Sequence, residues 1–258
     1  MPSHPYPSAE SMYDYDGIFD SQHSSTTGAQ SVEVITLAFN DPDRSAFGSR
    51  NTRFDRLDGD ISYQFLTSFD IRTLSVHGAN SGSSLSGLLY VPTLRSNNEC
   101  VEVSESYVPG NVTRRADLPD TDFKLIALAP WITPSCTLSY LEAAREDRNV
   151  QAFLFYLPTN ETGTPPLANS NVWGLGDGGE WKNRNDFPVY ALPGKAGQDL
   201  MDQSQYWSGS VDEVGLEGDL PRGFNQDAYV RLAADIDTGR GSTWSSTACA
   251  LNHRCASR

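Results

Sequence analysis

Residues 123–160, FKLIALAPWITPSCTLSYLEAAREDRNVQAFLFYLPTN, decide how the chain is read. Leu125–Ala129 is a short apolar run closed by Pro130, too short for a helix and suited to a buried strand. Thr133-Pro134 then has the form of a helix start. Proline holds the preceding residue extended, as an N-cap requires, and is itself tolerated at the first helical position. Leu138, Leu141 and Ala144 supply the apolar stripe of a helix of about three turns, with Glu142, Arg145 and Glu146 facing outward. Val150–Leu157 is apolar on both faces, the pattern of a strand covered from two sides. Strand, helix and buried strand make one βαβ unit. Nothing in it carries catalytic chemistry, so the unit is expected to act as a scaffold.

Outward from this unit the patterning weakens. Residues 1–30 are Ser, His, Pro, Tyr and Asp without periodicity and are expected to be disordered, as is the polar tail 237–258. Residues 31–84 form a loosely specified region with β-branched and aromatic runs at Val32–Phe39 and Ile61–Val76, separated by the polar segment Asp41–Asp60. Gly78–Ser86 has the composition of a connector. The main domain, 85–236, opens with a strand at Leu88–Val91, and Val101 and Val103 alternate like a second one after Cys100. Beyond the central unit come a long polar excursion at Thr159–Asp186, a strand at Phe187–Leu192 and a short helix in Gly194–Gln203. Further strands are expected at Tyr206–Val211 and Tyr229–Ile236.

The formal charge of −14 argues against nucleic acid and anionic membranes as partners, since both reward clustered Lys and Arg. Apolar residues make up 38% and the mean hydropathy is −0.45, low but compatible with a folded domain. The first thirty residues lack the basic-then-apolar pattern of a signal peptide, and no apolar run reaches the length of a membrane span. Two features nevertheless point to the secretory pathway. Asn111-Val112-Thr113 and Asn160-Glu161-Thr162 are N-glycosylation sequons in expected surface loops. Cys100 and Cys136 form an even pair within one domain, which fits a disulfide in an oxidising compartment; two buried free thiols are the alternative.

Catalytic chemistry is hard to assemble. Three of the four histidines, His4, His23 and His253, sit in the polar ends, leaving His77, and no serine occupies a Gly-x-Ser-x-Gly elbow, so no triad is expected. Cys249, His253 and Cys255 lack a fourth ligand and paired C-x-x-C spacing, and no metal site or cofactor is assigned. The acidic turns Asp41/Asp43 and Asp58-Gly59-Asp60 lack the ligand order of a calcium loop. Gly174–Gly179 matches GxGxxG in letters, but polar flanks replace the strand and helix a dinucleotide site needs, so a surface loop is expected. Trp131, Tyr156 and Trp173 would line a pocket or, more simply, pack in the core.

Four segments in order carry a resemblance: GLLYVPTL with a following cysteine, YVPGNVTRR with DLP, LIALAPWITPSCTLSYLEAAR with AFLFYLPTN, and FPVYALPGKAGQDLM with YWSG. Together they resemble a protease-associated (PA) domain, and more narrowly the lumenal PA domain of fungal PA–transmembrane–RING ubiquitin ligases. The resemblance covers residues 85–236. It implies an α/β (α+β) fold, a β-rich barrel or sandwich with peripheral helices, that binds protein or peptide ligands in the endomembrane lumen and does not catalyse. A membrane span and a RING, which would tether the domain and transfer ubiquitin, have no counterpart in these 258 residues. A PA insert or lid fragment of a secreted peptidase is the alternative. The resemblance also places Cys100 and Cys136 in one domain, where a bond between them would close a loop of about 35 residues. Ligand contact is expected on the loops Trp131–Ser135 and Asn171–Asn185, with Trp131, Thr133, Ser135 and Trp173 as candidates, although Trp131 packing beneath the helix is an equal reading.

Overall fold

A computed structural model describes residues 29, 31–39, 54–56, 63–68, 70–79, 85–118, 123–216 and 227–238. The expected disordered ends lie almost wholly outside these residues, as do the acidic turns and Cys249, His253 and Cys255. The central unit forms where the sequence places it. Strand β6 (Leu125–Pro130) is buried at every position, helix α2 spans Pro134–Glu146, and β7 (Val150–Tyr156) returns parallel to β6, with Leu128 opposite Leu154. Thr133 is the N-cap: its backbone is extended and its hydroxyl accepts from the Cys136 N–H at 3.2 Å, with Pro134 at the first helical position. Asn149, at φ 66°, turns the chain out of α2 and accepts from the Leu125 N–H at 3.0 Å.

Around this unit lies one mixed sheet. Strands β5 (Leu85–Tyr90), β6, β7 and β8 (Val189–Leu192) run parallel. β4 (Arg72–Ser75) pairs antiparallel with β8 at one edge. Beyond β5, β9 (Tyr229–Asp237) and β1 (Ser31–Phe39) follow antiparallel. The outer side of β1 is shared by β2 (Phe54–Arg56) and β3 (Gln64–Ser68). The fold is therefore sheet-dominated α/β, as expected, but the sheet is open and does not close into a barrel. The strands of residues 31–84 belong to this same sheet, β1 meeting β9 in nine consecutive residue pairs.

Three expectations change. The alternating Val101 and Val103 belong to a short helix, α1 (Cys100–Ser104), whose buried residues Cys100 and Ser104 are four apart. Side-chain alternation over five residues cannot distinguish the two states, and here the Asn98 side chain accepts from the Cys100 N–H at 2.8 Å and opens the helix. The strand expected at Tyr206–Val211 is absent, because α3 runs from Gly194 to Tyr206; only a single bridge joins Ser210 to Tyr229. β5 begins at Leu85, before the expected Leu88. Gly87 allows this: a Cβ there would come within 2.6 Å of the Lys124 carbonyl oxygen, where β5 joins β6.

Candidate functional site

Because β5 to β8 are parallel, their C-terminal ends share one edge of the sheet, and the loops that follow them gather there. This is the position at which open α/β sheets usually bind ligands. The four candidates divide at this edge. Ser135 is exposed, half-buried Thr133 caps α2, and their hydroxyls lie 3.2 Å apart. Trp131 and Trp173 are 5% and 1% exposed and are not surface anchors. The Trp131 ring meets Phe155 edge-on at 5.1 Å, Trp173 edge-on at 5.0 Å and Trp181 at 5.4 Å, so it is a packing group beneath the loop.

The polar excursion between β7 and β8 carries its own buried aromatic layer. Trp173 donates its indole N–H to the Pro166 carbonyl at 3.1 Å and Trp181 to the Trp173 carbonyl at 3.2 Å, satisfying both polar tips inside the core. Asn185 is fully buried and fastens the far end. Its amide donates to the Trp181 carbonyl at 3.0 Å, and its side-chain oxygen accepts from Arg145 of α2 at 2.9 Å. Ser75 of β4 donates to the Lys182 carbonyl at 2.5 Å. The GxGxxG letters fall on the bend between two single 3-10 turns, Asn171–Trp173 and Glu180–Asn183. Asp177 accepts there from the Gly179 and Trp181 N–H groups at 3.0 and 2.6 Å. The motif is a packed surface bend. The sequence does not single out Trp181 or Asn185, because the segment is polar; two tryptophans eight residues apart are the available signal.

Cys100 and Cys136 are bonded, with Cα atoms 5.3 Å apart, and the bond joins α1 to the first turn of α2. Both sequon asparagines are exposed. Thr113 of the first sequon is buried and hydrogen-bonded to Ser208 at 2.5 Å, so that loop is anchored, and the exposed Asn111 amide donates to the Gln205 carbonyl at 3.5 Å.

Beside the disulfide, between the chain leaving β5, α1 and α2, lies a cleft of about 220 Å³. Its apolar walls come from Leu94, Val101 and Val108; its polar groups are Ser104, Arg114, Tyr140 and, exposed on α1, Glu105. The Ser104 hydroxyl is buried and faces the Tyr140 hydroxyl, which it stabilises in the ionised form. Arg114 donates from Nη1 to the Pro92 carbonyl at 3.0 Å, and burial pulls its guanidinium below its ordinary value, with Tyr140 and Asp117 opposing. Burial likewise pushes the Tyr140 hydroxyl up. No sequence pattern marked these residues, which converge only through tertiary packing. Among the described residues there is no cluster of three or more potential metal ligands, and no helix is long and apolar enough to cross a membrane. No family model, curated protein or solved structure matches the chain.

Proposed function

We propose that this chain is a non-catalytic binding module of the endomembrane lumen, of the protease-associated kind found in PA–transmembrane–RING ubiquitin ligases, and that it takes protein or peptide ligands on the loops at the C-terminal ends of β5 to β8. The observation that carries the reading is the Cys100–Cys136 bond between α1 and α2. Disulfides persist in oxidising compartments and are rare in the cytosol, and the pair lies within the segments that resemble a PA domain. The exposed side chains of Asn111 and Asn160 support the same compartment. Within the loops, Ser135 is the accessible contact, while Trp131 and Trp173 hold the loop shape from beneath.

The test is expression behind a heterologous signal sequence in a eukaryotic secretory host. Two glycosidase-sensitive mass increments, lost singly in Asn111→Gln and Asn160→Gln, are expected, with no free thiol at Cys100 or Cys136 on non-reducing peptide mapping. Correctly translocated protein with both asparagines bare and both thiols free would end the lumenal reading. For binding, photo-crosslinking from position 135 in secretory extract should yield a discrete adduct that soluble competitor chain removes. Absence of any competable adduct would count against ligand binding on this loop.

A further inference from the structure

We propose that the cleft between α1 and α2 is a binding site for a small carboxylate bearing a short branched aliphatic chain. The site goes beyond the peptide-binding loops and does not depend on them. A carboxylate needs a cation and donors held away from bulk water. Arg114 supplies a guanidinium whose Nη1 donates to the Pro92 carbonyl, and a guanidinium has further N–H donors for a carboxylate contact. Ser104 supplies a hydroxyl that is 5% exposed and sits beside the Tyr140 hydroxyl, so the two form one buried polar group at the cleft. Tyr140 is itself 1% exposed. The remaining wall, Leu94, Val101 and Val108, is aliphatic, and the volume of about 220 Å³ exceeds the ~150 Å³ that holds a benzene-sized ligand, so a chain of about six carbons fits. The wall is also held in place: α1, which carries Val101, Ser104 and Glu105, is bonded through Cys100 to Cys136 of α2, which carries Tyr140.

The same chemistry has two sources, a simple acid or an aliphatic amino acid whose ammonium group would meet Glu105 at the exposed end of α1. Calorimetric titration of the oxidised 258-residue chain distinguishes them. With 4-methylpentanoate we expect saturable one-to-one binding in the millimolar range or tighter, and roughly tenfold or greater weakening for acetate and for 4-methylpentanamide. L-Leucine binding more tightly than 4-methylpentanoate identifies the amino-acid source; equal or weaker binding identifies the simple acid. Arg114→Gln should weaken binding at least about tenfold. Because Arg114 also supports Pro92, Val101→Glu at the exposed lip serves as the second variant, with the same loss expected and an unchanged melting temperature. The proposal is overturned by no saturable binding up to about 10 mM. It is equally overturned if the amide matches the acid, or if both variants bind as the parent does.

Discussion

Gly197, in the first turn of α3, packs directly against the side chain of Tyr156. Its letters, PGKAG, suggest a turn, and in a helix glycine is about 1 kcal/mol worse than alanine. Yet a Cβ at Gly197 would overlap the Cβ and ring of Tyr156, and Tyr156 is itself held by a 3.2 Å hydrogen bond to the Tyr107 carbonyl. Overpacking should outweigh propensity. Gly197→Ala is expected to destabilise by about 1–3 kcal/mol in urea unfolding, and a stabilised variant would disprove the close-approach role. Thr133, by contrast, was legible in the sequence, because N-capping is local chemistry written in adjacent residues. Asp147, which ends α2, belongs with the illegible kind. Burial raises its carboxyl above the ordinary 3.8; the Tyr90 hydroxyl and Arg115 oppose that shift and Glu146 adds to it. A raised acid favours the folded state while protonated, so its contribution is present below the ordinary carboxylate range and is lost as pH rises through the raised value. Asp147→Asn should therefore gain stability relative to the parent as pH goes from acid to neutral. Parallel denaturation curves at the two pH values check this, and a difference that stays flat or reverses would refute it.

At the scale of elements, strongly periodic or buried segments were readable and short amphipathic ones were not. β6, α2, β7 and β9 follow from apolar runs whose length and flanks leave one solution. α1 misleads because VEV alternates like a strand. What makes it a helix is the side-chain bond from Asn98 and the covalent tie at Cys100, neither visible in a five-residue window. That tie has a measurable weight. The cysteines are separated by 36 residues, and loop-entropy estimates give about 3–4 kcal/mol for a closure of this size. Replacing both by serine should lower the unfolding free energy by that order, and reductant should do the same to the parent while leaving the double variant unchanged. Equal stability of the two forms would make the bond dispensable. The excursion after β7 gives the complementary case, a polar segment organised by tryptophans. Trp131→Ala removes the ring that Phe155, Trp173 and Trp181 pack against, so a loss of about 3–5 kcal/mol is expected, together with increased proteolysis between residues 160 and 186. A variant that kept parental stability but lost ligand would return Trp131 to the binding surface.

For the whole molecule, the sequence marks 85–236 as the main domain because its segments carry the clearest patterns, while the sheet extends past that boundary. β9 is the strand that joins β1 to β5. Its residues from Val230 to Ile236 are buried on both faces, including Arg231 and Asp235. Arg231 is held by the Gly209, Val230 and Asp117 carbonyls at 2.7, 2.8 and 3.0 Å. Strand β5 pairs with only the C-terminal part of β9, from Ala233 to Ile236, whereas β1 pairs with it from Tyr229 to Asp237. Without β1 the sheet would end on a long, apolar, unpaired edge, which proteins avoid because it templates aggregation. β1 also contributes Val32, Val34, Ile35, Leu37, Ala38 and Phe39 to the core. At about 1.5–3 kcal/mol for each large side chain, that burial rivals the net stability of a typical domain, about 5–15 kcal/mol. A chain beginning at residue 85 is therefore expected to lose cooperative unfolding and to associate in solution, whereas one beginning at residue 29 should melt as the full chain does. Circular dichroism melts and light scattering on the two truncations decide the matter. A monomeric, sharply melting 85–258 chain would mean that β9 finds its stability elsewhere, and that residues 31–84 are an addition to the domain instead of part of its sheet.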